Sequence, residues 1–352
     1  MIQNRLATAA AIFSSPDAFR RAFSDGLPEL LRDDGLGAFI LVCANATYDP
    51  AIYAATSARL RAKLDALRER HVKTLADGRP ITDADEDLLV FLKILALGFE
   101  RLNATEKRRA GPWLVQFNHL RAFRPQRISR QTVSGLQAPF DAKAFHFNKG
   151  FLQKEAFWSG ELGGKAATLY YNKYPFAELH ALLVPEREKQ LPQFLTRPYH
   201  DYVWQLAETL GRSLEGLGFG YNAYGAFASV NHLHFQLFAD PQELPAASPD
   251  WRHNGGAEDY PAACEVFRCE ASAWRRIEDL HRRQIAYNLL YRPGKLYVFP
   301  RQTQGVLPTP AWSSGFTWYE MAGGMLSFNR DDYAKLDEAE ISAELKKLAV
   351  SV

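Results

Sequence analysis

The run SVNHLHFQLF, Ser229–Phe238, places His232, His234 and Gln236 at a spacing of two, with apolar residues between them. Successive side chains of a β-strand point to opposite faces of a sheet. The run is therefore predicted to be a strand that holds both imidazoles and the amide on one face and buries the other. A nucleophilic histidine needs one free ring nitrogen and one tied to an acceptor, and this pattern predicts that role for His234.

Composition limits the class of protein. The chain has 352 residues, of which 47% are hydrophobic and 23% charged, so it can bury a large core in one or two domains. A net charge of +2 gives no basic surface of the kind that binds nucleic acid or anionic membranes. No apolar run reaches the roughly 18 residues that span a bilayer. The three cysteines form no C-x-x-C pair. We expect a cytoplasmic protein with no metal and no cofactor.

Helical and strand patterns divide the chain. Residues 1–30, 56–77 and the stretch after Asp83 read as helices, whereas Ala38–Cys43 (AFILVC) reads as a short buried strand. Strand candidates then follow, and a C-terminal helix is predicted from about Asp331 to Leu348. The predicted strands are WLVQFN (113–118), FHFNKG (145–150), TLYYNKY (168–174), HALLVP (180–185), YNLLYR (287–292), KLYVFP (295–300) and GGMLSFN (323–329).

The histidine run resembles the transferase and phosphorylase branch of the histidine-triad superfamily, where glutamine replaces the third histidine of His-x-His-x-His. Gly220–Gln236, GYNAYGAFASVNHLHFQ, is similar to the corresponding block of the GDP-hexose phosphorylases. Further blocks resemble that family in the same order: LVQFNHLR (114–121), LQAPFD (136–141), FHFNKG (145–150), HALLVP (180–185), IAYNLLY (285–291), YVFPR (297–301) and WYEMAGGMLSFNRDDY (318–333).

This resemblance implies an α+β fold of the kind shared with galactose-1-phosphate uridylyltransferases, in which two histidine-triad-like halves carry antiparallel sheets flanked by helices. We expect a helical extension over 1–109, the half with the nucleophile over 110–245, and a second half over 246–352. The second half is expected to support substrate binding through residues around Glu320. The cysteine ligands of a structural metal in the related uridylyltransferases have no counterpart here.

The resemblance also implies roles for individual residues. His234 is expected to attack phosphorus, Gln236 and Ser229 to hold phosphate oxygens, and His232 to orient the nucleophile. The remaining candidates for substrate binding are Asn222, Gly225 through its backbone, Lys149, Arg121 and Arg124. Alone, the five residues from His232 to Gln236 would equally suit core histidines bonded to backbone, and the arginines could pair with carboxylates.

The expected reaction is phosphorolysis of a GDP-hexose to hexose 1-phosphate and GDP through a covalent nucleotidyl-histidine. A hexose-1-phosphate nucleotidylyltransferase, a dinucleoside polyphosphate phosphorylase and a nucleotide-binding protein without turnover are the alternatives. The partners are then a nucleotide sugar and inorganic phosphate, with neither nucleic acid nor membrane, and a homodimer is an open possibility. Since attack needs a neutral imidazole, the rate is expected to fall below about pH 6.5.

Overall fold

The structure is a computed structural model that describes residues 8–125, 133 and 135–350. In this part of the chain, a series of helices precedes the first strand, and strands and further helices then follow in mixed order. The helices are α1 (Ala9–Ile12), α2 (Pro16–Leu30), α3 (Leu36–Tyr48), α4 (Pro50–Ala76), α5 (Asp85–Leu97), α6 (His119–Ala122), α7 (Arg197–Leu210), α8 (Glu270–Arg282), α9 (Trp318–Met321), α10 (Arg330–Lys335) and α11 (Glu338–Leu348). The strands are β1 (Glu106–Ala110), β2 (Trp113–Phe117), β3 (Ala156–Leu162), β4 (Lys165–Tyr171), β5 (Ala181–Pro185), β6 (Leu217–Asn222), β7 (Phe235–Ala239), β8 (Glu265–Phe267), β9 (Ala286–Arg292), β10 (Lys295–Arg301) and β11 (Gly324–Ser327).

The larger sheet has the order β3-β4-β5-β7-β6-β9-β10-β8, and every neighbouring pair in it is antiparallel. Strands from both sides of residue 245 join through the β6–β9 pair, where Asn222 lies opposite Asn288. The prediction of an α+β fold with antiparallel sheet flanked by helices is confirmed. The division into three segments at 109 and 245 stays a prediction.

A smaller sheet ties distant parts of the chain together. Strand β2 pairs antiparallel with β1 and parallel with β11, so that Leu114 lies opposite Gly324. All five residues of β2 are buried. Residues near the C-terminus thereby help to fix the segment that follows β2, which carries Arg121 and Arg124.

The N-terminal helices pack onto the larger sheet and share its core. Phe23 of α2 makes edge contacts with Phe157 of β3 and Tyr171 of β4, at ring-centroid distances of 5.4 and 4.9 Å. Helix α3 is buried along almost its whole length, because neighbouring helices and the sheet enclose it. Within the described ranges, no helix has the length and apolar character needed to cross a bilayer.

Two strand predictions were wrong. Ala38–Cys43 lies inside helix α3, because a short apolar run suits a buried helix as well as a buried strand. Residues 145–150 form turns that lead into a 3₁₀-helix, Gly150–Glu155. The backbone N–H of Phe147 donates to the ring of His232 instead of to a neighbouring strand. The predicted C-terminal helix is also divided, into α10 and α11.

Candidate active site

The histidine run becomes a strand later than its alternation suggests. Strand β7 begins at Phe235, and His232 and His234 lie in the loop before it. The backbone N–H of His234 donates to Oε1 of Gln193 at 2.9 Å, so a side chain holds this residue where the predicted strand would form ladder bonds. The strand prediction was therefore wrong over its first half, although Gln236 does lie in β7.

His234 is held in one tautomer with its second nitrogen available. Its Nδ1–H donates to the backbone oxygen of His232 at 2.8 Å, and no hydrogen bond engages Nε2 among the described residues. The side chain lines the main cavity although the residue is only 5% exposed. Burial lowers the pKa of His234 to about 4, so the imidazole is neutral at physiological pH.

His232 contributes its backbone to the site and its ring to the core. The ring accepts from the Phe147 N–H at Nδ1 (3.2 Å) and donates from Nε2 to the Arg187 oxygen (3.1 Å). Burial lowers the pKa of His232 to about 4, and its side chain does not line the cavity. The expected role in orienting His234 stays a prediction, with the backbone oxygen as the contacting atom.

Gln236 has its amide orientation fixed by two donors. Its Oε1 accepts from Nε2–H of His180 at 3.1 Å and from Nε1–H of Trp318 at 2.9 Å. The Phe176 N–H donates to Nδ1 of His180, which leaves the proton on Nε2, and burial lowers the pKa of His180 to about 3. With the oxygen occupied, the NH₂ group of Gln236 is the end left for a ligand in the cavity that this residue lines.

Asn222 is oriented in the same way. Its Oδ1 accepts from Nδ2 of Asn288 at 2.7 Å and from the backbone N–H of Trp318 at 2.8 Å. Trp318 approaches β6 closely because Gly220 has no side chain, and a Cβ there would lie 2.1 Å from the indole. Both carboxamides therefore expose their NH₂ ends toward the same cavity, next to His234.

Gln193 joins the loop of His234 to the end of β6. Besides accepting from the His234 N–H, its Nε2 donates to the backbone oxygens of Asn222 at 3.0 Å and of His234 at 3.2 Å. The residue is 1% exposed, and its amide is occupied at both ends. This contact fixes the nucleophile candidate relative to the Asn222 amide.

The cavity has a volume of about 410 Å³ and unites six of the nine predicted site residues. Those that line it are His234, Gln236, Asn222, Ser229, Arg121 and Arg124. The others do not line it. Gly225 forms a turn at φ +90° and accepts from the Gln304 N–H, and Lys149 donates from Nζ to the Ala142 oxygen on an exposed surface.

Arg121 and Arg124 bring positive charge to the wall of this cavity. Arg121 is buried, donates from Nη1 to the Tyr174 oxygen at 2.8 Å and stacks 4.6 Å from the Phe176 ring centroid. Burial lowers the pKa of Arg121 to about 9, so it stays charged at neutral pH. Glu320 lies in the same cavity, and burial raises its pKa although Thr317 donates to it twice.

Several residues of the site were not predicted from the sequence. Trp318, Asn288 and Gln193 act through hydrogen bonds to residues 82, 66 and 41 positions away, and no local pattern encodes such contacts. The block around Glu320 was the one available signal for Trp318. Among the described residues, no group of three histidine, cysteine or acidic side chains is arranged to hold a metal ion.

Comparison with known proteins identifies the segment that carries most of this site. Residues 111–238 match the family described as GDPGP1-like, N-terminal domain. GDP-D-glucose phosphorylase 1 of Danio rerio is 36% identical over 123 residues, which cover 35% of this chain and 34% of that protein. The Homo sapiens protein of the same name is 34% identical over 128 residues, covering 34% and 32%. The chain thus matches about a third of the length of these relatives.

Solved structures with a related outline include yeast Ap4A phosphorylase Apa2, at 17% identity and a TM-score of 0.49, covering 76% of this chain and 95% of that one. Its complex with Ap4A gives 16% identity and a TM-score of 0.48, covering 76% and 98%. The family match over residues 111–238, which is independent of this likeness, ends within β7 and includes both His234 and Gln236. Residues 111–238 of this chain are therefore similar to the N-terminal domain of the GDPGP1-like family and to the GDP-D-glucose phosphorylase 1 proteins.

Proposed function

We propose that this protein cleaves a GDP-hexose by phosphorolysis through a nucleotidyl group held on His234. One observation carries the proposal: Nδ1 of His234 is tied to the His232 oxygen, while the other side of the ring lines the cavity beside Gln236. A neutral imidazole held in this way is ready for in-line attack on phosphorus without a base to activate it.

In the first step, Nε2 of His234 forms a bond to the α-phosphorus, and the bond from that phosphorus to the bridging oxygen breaks. Hexose 1-phosphate leaves as an anion, so no proton has to move. The imidazole becomes cationic, and the His232 oxygen that accepts from Nδ1–H stabilises this charge. The NH₂ groups of Gln236 and Asn222 are placed to donate to the α-phosphate oxygens, where charge increases in the transition state.

In the second step, inorganic phosphate attacks the same phosphorus from the side that hexose 1-phosphate has vacated. The bond from Nε2 to phosphorus breaks, GDP leaves, and His234 returns to its neutral form. Arg121 and Arg124 supply positive charge in the cavity for the anion that leaves and the one that enters. Dividing one displacement into two gives each a good nucleophile and a good leaving group.

The test measures hexose 1-phosphate and GDP from GDP-glucose, GDP-mannose and GDP-L-galactose, each with and without phosphate. We expect release of hexose 1-phosphate to stop after one turnover when phosphate is absent, and His234→Ala to lower kcat by at least about 10⁴-fold. His253→Ala is the matched control, because His253 lies outside the cavity and bonds the Ala246 oxygen.

A trapping experiment reports the intermediate directly. GDP-glucose labelled at the α-phosphate, mixed with enzyme without phosphate and quenched in alkali, should leave label on the wild-type protein and none on His234→Ala. Continued release of hexose 1-phosphate without phosphate would show hydrolysis instead. A His234→Ala variant of full activity would remove the nucleophile from the proposal.

A further inference from the structure

The cavity wall holds two chemically different groups of side chains. Arg121, which stacks on Phe176, lines it together with Arg124, and their positive charge suits the anionic hexose phosphate and inorganic phosphate. Another part of the wall, the aromatic end, is formed by the rings of Phe145, Phe147 and Phe151. Phe147 is the ring of this group that contacts His234, so we take a nucleotide bound for attack to direct its base to the aromatic end. This division rests on the proposed function, since it takes the α-phosphate to lie at His234.

The aromatic end is a row of rings that leads outward from the nucleophile. The Phe147 ring centroid is 5.2 Å from that of His234, Phe145 is 6.3 Å from Phe147, and Phe151 is 6.3 Å from Phe145. Phe145 and Phe151 are 43% and 58% exposed, unusual values for phenylalanine. Exposed flat rings at a cavity wall are surfaces on which a nucleobase stacks.

Glu155 places a carboxyl group in the same part of the cavity. It ends the 3₁₀-helix that begins at Gly150 and also carries Phe151. No hydrogen bond to its carboxylate is found among the described residues. Burial raises the pKa of Glu155 to about 7, and the charged groups that face it are Lys173, Lys154, Asp87 and Asp33. Glu155 is half-buried, so its carboxyl group without donors has lost part of its hydration, and a ligand that supplies N–H groups offsets that loss.

We propose that Phe145, Phe151 and Glu155 form a base subsite that selects guanine. The Watson–Crick edge of guanine presents two adjacent donors, N1–H and the N2 amine, and a carboxylate offers two acceptors at matching separation. Adenine presents one donor and one acceptor at that edge and leaves one carboxylate oxygen unpaired. The two rings would stack on any base, and the carboxylate would select guanine among the bases.

Binding of GDP, IDP and ADP, measured by calorimetry, tests this subsite without any turnover. IDP lacks the N2 amine and so removes one donor from the ligand side. Wild-type protein should bind GDP more tightly than IDP, and IDP more tightly than ADP. Glu155→Gln keeps the shape but exchanges one acceptor for a donor, and should weaken GDP binding by about 10- to 100-fold while ADP binding holds or improves.

Two further variants complete the design. Glu155→Ala should bind GDP and IDP equally, because the partner of the N2 amine is gone. Phe145→Ala with Phe151→Ala should weaken all three nucleotides by a similar factor. Glu161→Gln is the matched control, since Glu161 is exposed on β3 and does not line the cavity; it should behave as wild type.

Acidity gives an independent readout. Only the ionised carboxyl group accepts from both donors, so GDP binding should weaken as pH falls below about 7 in wild type and should lose this dependence in Glu155→Gln. A GDP-to-ADP ratio that is the same in wild type and Glu155→Gln would overturn the subsite. GDP-selective binding without GDP-hexose cleavage would instead refute the proposed function and leave the subsite standing.

Discussion

At the scale of single residues, the hydrogen bonds around the carboxamide of Gln236 fix its orientation. His180 and Trp318 both donate to its oxygen, so turning the amide over would bring NH₂ against two N–H groups. The sequence identified Gln236 and His234 through their spacing and resemblance. It could not identify the partners that orient them, because those partners lie far away along the chain and meet only in the folded sheet.

Gln236→Glu tests this orientation. The variant keeps an oxygen for His180 and Trp318 but replaces the NH₂ group with an oxygen that repels phosphate. We expect kcat for GDP-glucose phosphorolysis to fall by about 10²- to 10³-fold, the usual effect of losing one donor to a developing negative charge. Gln242→Glu on an exposed turn outside the cavity is the control and should keep full activity. An unchanged kcat in Gln236→Glu would contradict the assignment.

The protonation of His234 gives a second prediction, and it replaces the sequence-based expectation of a loss of rate below pH 6.5. Because burial lowers its pKa to about 4, the ring should stay neutral from pH 7.5 down to about pH 5 in the unliganded protein. Nitrogen-15 NMR of labelled histidines measures this directly, with His234→Asn to assign the signals. A titration of the His234 signals with a midpoint near pH 6.5 would contradict the prediction, because it would show that burial does not lower the pKa of this ring.

At the scale of helices and strands, alternation and turn residues predicted β2, β5, β9 and β10 well, and placed β4 three residues too late. They failed where tertiary contacts decide. Residues 38–43 are helical because α3 is enclosed by its neighbours. The His232–His234 segment is a loop and not a ladder strand, because Gln193 takes the backbone bonds of His234. A short run of hydrophobic residues predicts that the segment is buried, but it does not decide between a helix and a strand.

The short helix α9 carries the contact that links the second half of the chain to the site. Trp318→Phe removes the Nε1 donor to Gln236 while its ring can keep the stacking on Phe238, at 5.1 Å. Without this hydrogen bond, the correctly oriented Gln236 amide should stabilise the transition state by about 1 kcal/mol less. We therefore expect kcat to fall about 5-fold, with little change in thermal stability. Trp312→Phe is the matched control, because Nε1 of Trp312 is buried without a hydrogen-bond partner among the described residues and lies outside the cavity.

At the scale of the whole molecule, three distant parts of the chain form one cavity. Its wall includes Ala84 and Asp87 from the start of α5, the strands around Gln236, and the segment from Gly315 to Glu320. The sequence assigned the central part and suggested the last. It gave no sign that the N-terminal helices contribute, because the start of α5 reads as an ordinary acidic first turn.

Acid stability is a property of the whole molecule and can be tested away from the cavity. His200 is fully buried between Tyr291 and the Glu270 oxygen, and burial lowers its pKa. On acidification, the His200 imidazole is therefore protonated at a higher pH in the unfolded chain than in the folded one. The contribution of neutral, buried His200 to the free energy of unfolding is lost as pH falls below about 6.5.

The measurement compares wild type with His200→Gln by urea unfolding at pH 7, 6 and 5. The advantage of wild type over the variant should shrink on acidification, by at most about 1.4 kcal/mol per pH unit. A difference that is constant across the three values would mean that His200 titrates alike in the folded and unfolded states.

The hydrogen bond from Trp318 to Gln236 has a consequence during protein synthesis. A nascent chain that has emerged from the ribosome only as far as β7 already contains His234 and the His180 donor to Gln236. It still lacks the Trp318 donor to Gln236 and both donors that orient the Asn222 amide. Translation must proceed some 80 residues further before that indole exists. Products that terminate before Trp318 should therefore be inert toward cellular nucleotides, because the amides beside His234 lack contacts that orient them.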